Sequence, residues 1–404
     1  MGWAPGRIAS PAFQPVGSPW SRPGPMNGRA LGMDISPLPA SALCALLGFA
    51  SLLLVGCEES LGVDRPDGRR TLGVEGLVCD VPRADIYFGG TPRDGLPSLT
   101  DPTFVDPGSP EAAYLQEEDR VIGILLDGEP LAIPHNILWW HEIVNLNRPS
   151  GTQIAVTYCP LTGSSMVFDR EAIGGAELGV SGLIFLNNLI MWDRRSEESF
   201  WPQMLARAGC GPARGVELEM VPGWEMTWRG WQETYPEGQV VGSEQGMGRN
   251  YRLYPYGDYE TLDNPVRFFA TPALDPRRPP KERVLGIPHL NGRGVAIPFG
   301  ELEGNAKGGR SVAGIETPTG RIVVFWKSSL GGAMAYWTED HFRVEEGRFL
   351  DHSTGSEWDF TGVAVDGPLT GEALEPVAEA HVAFWFAWTE FHTDSELWTI
   401  GGGA

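Results

Sequence analysis

One pattern constrains the fold of this chain more than any other: a set of short signals that occurs twice in the same order. Val121-Ile-Gly-Ile returns as Val284-Leu-Gly-Ile, and Ala132-Ile-Pro returns as Ala296-Ile-Pro. The stretch from Val156 to Phe168 aligns without gaps on Val324 to Tyr336, with Gly163 facing Gly331. Trp228-x-x-Trp231 matches Trp385-x-x-Trp388, and Tyr235 matches His392. A repeat of this length predicts one supersecondary unit used twice. The expectation is therefore a β-rich α+β protein of two homologous lobes from an internal duplication, built mainly of antiparallel sheets.

The local signals agree with that class. Val121 to Glu129 reads as a strand running into an Asp127-Gly128 turn, with Pro130–Ile133 returning as the second arm. Gln153–Cys159 and Ser165–Phe168 alternate as strands around the turn Pro160–Gly163, and Glu177–Ser181 with Leu183–Asp193 reads as a further hairpin. Short helices are expected at Glu111–Glu118 and Ile137–Val144, and a helical pattern over Glu225–Tyr235 puts Trp228 and Trp231 one turn apart. The expected boundaries are 1–56 for a leader, 57–93 for a tether, 94–242 for the first lobe, 243–283 for a connection and 284–400 for the second lobe.

The amino-terminal end predicts a location. Ala40 to Val55 is an apolar run too short to span a bilayer and matched to a signal-peptide core. It ends in Leu54-Val55-Gly56-Cys57, which resembles the bacterial lipobox, so Cys57 is the expected lipidated residue. Translation is expected to begin at Met26 or Met33. The chain is then a lipid-anchored protein of the bacterial envelope, and its one predicted partner is the membrane, through acyl chains. With Cys44 removed and Cys57 acylated, three cysteines remain in an oxidising compartment. Cys79 and Cys210 lie in loop-like surroundings and are the expected disulfide, which leaves Cys159 free.

Composition excludes some functions. Thirty Lys and Arg stand against 52 Asp and Glu, a net charge of −22, which repels a phosphate backbone and argues against nucleic-acid binding. No glycine-rich phosphate loop lies between a strand and a helix, so no nucleotide is expected either. Neither GxSxG nor HExxH occurs.

Reactive residues gather between Pro134 and Asp169, and the repeat separates them from the scaffold. Cys159 falls opposite Lys327, His135 opposite Phe299, and the run Trp139-Trp140-His141-Glu142-Ile143-Val144-Asn145 has no counterpart. Three readings follow. In the first, His135, His141 and Cys159 hold a metal, zinc or copper, because imidazole and thiolate are the ligands those ions prefer. The bland alternative makes His141 a capping group and Cys159 a small apolar core residue. In the second, Cys159 is a nucleophile with His141 as its base and Glu142 or Asp169 as the orienting acid, helped by backbone N–H groups of the Pro160–Gly163 turn. The third is a non-enzymatic module that uses aromatic faces: 15 tryptophans and 9 tyrosines are available. Trp139, Trp140 and the linker tyrosines are its first choices, since the paired WxxW motifs read as core.

Six motifs in order carry a resemblance: WWHEIVN (139–145), TYCPLTGS (157–164), LGVSGLIFLNNLIMWDR (178–194), SFWPQM (199–204), KERVLGI (281–287) and AFWFAW (383–388). Together they resemble the uncharacterised prokaryotic domain-of-unknown-function family 3179 over roughly Gly95 to Trp398. The resemblance implies an exported or lipid-anchored protein and supplies no activity. Many relatives carry a second cysteine where this chain has Thr162, so a dithiol chemistry is not expected here.

Overall fold

The computed structural model describes residues 74–269, 273–290 and 293–401. The expected leader and the lipidation residue Cys57 lie outside the described residues. The described residues belong to one compact unit, Asp64–Ala404. It is β-rich and mainly antiparallel, and the parallel exceptions are three short pairs, Leu99–Thr100 with Ile143–Asn147, Gln239–Val241 with Glu129–Pro134, and Glu396–Leu397 with Arg293–Pro298. Among the described residues, no helix is long and apolar enough to cross a membrane.

The fold is organised by two hairpins of the same construction. Arg120–Leu126 and Glu129–Pro134 pair antiparallel around Asp127 and Gly128, both at positive φ as a tight turn of this kind requires. Helix α1, His135–His141, follows directly. Arg283–Leu290 and Arg293–Pro298 form the second hairpin. Two further short helices come before and after it in the chain: α2 is Trp228–Thr234 and α3, directly after this hairpin, is Phe299–Gly304. Each hairpin carries a strand on one side that leads into a helix. Trp224–Thr227 lies beside the first, with Trp224 opposite Gly123, and continues into α2. His381–Phe384 lies beside the second, with His381 opposite Gly286, and continues into α4, Trp385–Phe391.

Why glycine stands at 123 and 286 is a matter of space. The fully buried rings of Trp231 and Trp388 pack against these two backbones. A Cβ built at Gly123 would sit 2.2 Å from the Trp231 ring, and one at Gly286 2.0 Å from the Trp388 ring. The WxxW motifs are therefore core residues that clamp each helix onto its hairpin, which is the role their spacing predicted.

Each hairpin is followed by a three-stranded meander: Ile143–Asn147, Gln153–Cys159 and Ser164–Asp169 after the first, and Arg310–Thr317, Gly320–Lys327 and Gly332–Thr338 after the second. The connections are crosswise. Phe384 N–H donates to the Thr162 carbonyl at 2.8 Å, and Thr227 N–H donates to the Leu330 carbonyl at 2.9 Å. Strands from both expected lobes thus share an eight-stranded sheet, in which Val382 pairs with Ser165.

Two local expectations shift. The helix expected at Glu111–Glu118 is only a 3-10 turn at Pro110–Ala112, since the Asp-Pro-Gly-Ser-Pro run before it and the polar residues after it bury too little to propagate a helix. The pattern over Glu225–Tyr235 starts as strand through Thr227, whose hydroxyl then caps α2 by accepting from Gly230 N–H at 3.1 Å.

Candidate functional site

The residues singled out between Pro134 and Asp169 do not converge. Along Gln153–Cys159 side chains alternate, so Ile154, Val156 and Tyr158 enter one apolar core while Ala155 and Cys159 enter another. His141 lies on the Tyr158 side. Its Nδ1–H donates to the Pro97 carbonyl at 2.7 Å and its Nε2 accepts from the Tyr251 hydroxyl at 2.8 Å. Both ring nitrogens are therefore occupied, and burial lowers the imidazole pKa. The thiol of Cys159 is on the opposite face, where it takes a hydrogen bond from Leu189 N–H at 3.3 Å. Burial, with the nearby Glu142 carboxyl, pushes the thiol up to about 11. A protonated, sealed thiol without a base is a poor nucleophile.

The expected orienting acids are no better placed. Asp169 pairs with Ile154, five residues from Cys159 on the strand, a separation of about 17 Å. Glu142 is in the left-handed region at φ 56° as the cap of α1, and burial raises its carboxyl to about 8. The structure does not bring Cys159 and His141 together: the pleat of one strand puts them in different layers. The three expected metal ligands are not brought together either. His135 stacks on Tyr158 with centroids 4.0 Å apart, away from Cys159. Among the described residues, no group of three or more His, Cys, Asp or Glu side chains is arranged to hold a metal ion. Cys79 and Cys210 are joined by a disulfide, and Cys159 is the free cysteine of the described residues.

What the reactive stretch does instead is hold two polar networks. The first is centred on Glu225, a buried carboxylate that accepts from Arg120, from Arg283 at 3.2 Å and from Ser165 at 2.5 Å. His135 Nε2 stands 3.5 Å from its other side. Burial alone would raise this carboxyl, but Arg120, His135 and Arg283 outweigh it and hold the group well below the usual carboxylate range. Arg120 and Arg283 open the first strands of the two hairpins, so one acid ties both together. The second network joins three of the motifs. The Asn188 amide donates to Thr162 and Ser164, and to Gln203 at 2.8 Å, while its oxygen accepts from Met204 N–H at 3.0 Å. A buried network satisfied in this way fixes the turn Gln203–Leu205 in one position.

That turn forms a wall of an open cleft. A cleft of about 720 Å³ runs between the turn, the segment Glu217–Met220, the outer end of the second hairpin at Ile287–Leu290 and the loop Thr317–Thr319. Its floor is apolar, with Met166, Met204 and the half-buried Trp337. Its rim carries Glu217, Glu219 and Glu379, all exposed, and no Lys or Arg is among the residues that line it. His381 and His392 complete the wall. His381 is 3% exposed. Its Nδ1–H donates to the Glu379 carbonyl at 2.9 Å, and its Nε2 has no partner. Burial brings its pKa down to about 4, so the ring is neutral and the bare nitrogen is an acceptor.

The aromatic residues favoured for a binding module are not exposed. Trp139 is half-buried with its ring edge-on to Tyr254 at 4.9 Å, and Trp140 lies under the Arg249 guanidinium at 5.2 Å. Residues that the sequence did not single out prove more informative: Glu225, His381 and Lys281. Lys281 is buried with its ammonium 3.4 Å from the centre of the Tyr259 ring, and burial lowers its pKa to about 7. Only the repeat held a signal for His381, since the register sets it where the first unit has Trp224.

A β-rich α+β scaffold of paired hairpins, with an open cleft beside one of them, defines the class of protein. Residues 93–395 match the family model described as "Protein of unknown function (DUF3179)", and the chain belongs to that family. No curated protein and no solved structure matches the chain.

Proposed function

We propose that this protein is a ligand-binding protein of the bacterial envelope, anchored through lipid on Cys57, that holds a small molecule in the cleft walled by Gln203–Leu205 and His381. The observation that carries the reading is the cleft itself: concave, apolar at its floor and edged by a few polar groups, as small-molecule sites are. A buried acceptor without a partner on its wall adds to this, because such a group costs about 1–3 kcal/mol unless something donates to it. Cys159 and His141 serve the scaffold in this reading, and the networks around Glu225 and Asn188 keep the cleft's walls in register. The envelope location is supported by the Leu54-Val55-Gly56-Cys57 sequence and by the Cys79–Cys210 bond, which suits an oxidising compartment. We propose too that the two hairpin units descend from one duplicated ancestor, on the support of their common strand order and of the Arg, Gly and Trp residues they share.

Thermal unfolding of the full-length protein against a library of small metabolites tests the binding reading. A ligand at 100 times its Kd stabilises by about 2.7 kcal/mol, which moves the midpoint by several degrees. The expected result is a set of stabilising compounds whose effect disappears in Thr319→Trp, a substitution on an exposed loop residue at the cleft mouth. Stabilisation that Thr319→Trp leaves intact contradicts it. Mass spectrometry of the mature amino terminus checks the anchor: acyl chains on Cys57 are expected, and an unmodified Cys57 in a membrane-free protein overturns it.

A further inference from the structure

We infer that the cleft takes an organic cation, an amphipathic amine whose ammonium group meets the rim carboxylates and the bare nitrogen of His381 while its apolar body lies on Trp337 and the methionines. This rests on the cleft being a ligand site and adds the chemical class of what it binds. Three observations on different residues point the same way.

The first is the pairing of the carboxylates. Three buried acids elsewhere are matched by arginine: Glu225 by two, Asp193 by Arg195 at 2.8 Å, and Glu282 by Arg278 at 2.6 Å. Glu217, Glu219 and Glu379 share one cleft, and among the described residues no Lys or Arg lines it with them. An anion entering there meets three like charges and no counter-charge, whereas a cation meets three acceptors of the right sign. The second is His381. Its Nδ1–H is committed to the Glu379 carbonyl, so Nε2 offers only a lone pair, and the complement of a lone pair is an N–H or O–H. An ammonium group has N–H bonds enough for both the histidine and a carboxylate, whereas a hydroxyl has a single hydrogen and no charge. The third is the floor. Trp337 is half-buried and lines the cleft, an aromatic side chain suited to a cation or an apolar body, and Met166 and Met204 add adaptable, polarisable surface. The net charge of −22 draws cations toward the whole molecule and repels acids of the same size.

The test is calorimetric titration of the full-length protein at pH 7 with three probes of one shape: tryptamine, its neutral alcohol tryptophol, and the anion indole-3-acetate. Tryptamine is expected to bind one to one, about tenfold or more tighter than tryptophol, with indole-3-acetate weakest, since a charge-assisted hydrogen bond is worth roughly that factor. In Glu219→Gln/Glu379→Gln the advantage of tryptamine over tryptophol should shrink about tenfold while tryptophol is little changed. These two side chains are exposed, so the variant keeps its fold. His381→Phe should weaken tryptamine, and Thr319→Trp should abolish binding. Tryptophol or indole-3-acetate binding as tightly as tryptamine, and lost in Thr319→Trp, overturns the cation class while leaving the cleft as a binding site. Failure of all three probes to bind also overturns it. Tryptamine binding that survives Thr319→Trp overturns both this inference and the cleft as the site.

Discussion

His141 and His381 are both buried, both neutral, and each donates its Nδ1–H to a backbone carbonyl. They part at the other nitrogen. His141 Nε2 meets the Tyr251 hydroxyl, so its hydrogen-bonding capacity is filled from within the fold. His381 Nε2 meets nothing, and the residue lines a cleft. The contrast extends to their surroundings. The region around His141 carries the conspicuous chemistry of the sequence, and there His141 and Cys159 are both bonded within the fold. The region around His381 looks ordinary in sequence, and there the unfilled nitrogen belongs to a residue that lines a cleft. A reactive residue type is therefore a weaker sign of function than an unfilled bonding capacity beside open space.

The largest effect that sharpens this contrast is expected at Glu225. Glu225→Ala leaves Arg120 and Arg283 without their shared acid, and breaking a buried charge set of this kind costs about 3–5 kcal/mol. Chemical denaturation should show that loss, and a loss under 1 kcal/mol would mean the network is not what binds the two hairpins.

The two regions should also titrate in opposite directions. The Glu142 carboxyl has its folded pKa raised to about 8 by burial, so the folded state binds the extra proton. Its contribution is present at low pH and is lost as pH rises from about 4.3 through 8, on the order of 5 kcal/mol. His381 has its folded pKa lowered to about 4, so the unfolded chain binds the extra proton. Its contribution is present above about 6.5 and is lost as pH falls toward 4, on the order of 3 kcal/mol. Stability against pH for Glu142→Gln should lose the first slope and keep the second, and His381→Phe should do the reverse. Parallel curves for both variants would break the comparison.

Next in size are the paired glycines. Gly123→Ala and Gly286→Ala each drive a methyl group into a buried tryptophan ring, and overpacking of this kind costs about 1–3 kcal/mol. Equal losses in urea would fit two units of one construction, while a loss at one position alone would separate them. The smallest effect is expected at Thr319→Trp, within about 0.5 kcal/mol of wild type, because the residue is exposed on a loop. Its consequence should fall on binding and not on the melting temperature.

How far the sequence could be read depended on the range of the contacts involved. Local chemistry was legible: Asp127-Gly128 as a hairpin turn, the alternation of Gln153–Cys159, and Trp231 and Trp388 as core. The repeat extended that reach to the two hairpins, because the same signals recur 163 residues apart at Gly123 and Gly286. The site was not legible. His141 and Cys159 are near in sequence, and only the pleat of one strand separates them into different layers. Glu225 meets arginines 105 and 58 residues away, a convergence that no local pattern records. The helix expected at Glu111–Glu118 stops at a single 3-10 turn although Ala112 and Tyr114 are buried, so burying its apolar residues did not require a helix.

The most direct test of the cleft as the binding site is a methyl spectrum of the full-length protein labelled with carbon-13 at methionine. Met166, Met204 and Met220 line the cleft, while Met226 and Met334 belong to a different core. Titration with tryptamine should shift the methyl signals of Met166, Met204 and Met220 together along one saturating curve and leave those of Met226 and Met334 in place. Saturating shifts at Met226 and Met334 with the cleft methionines unmoved would contradict the account.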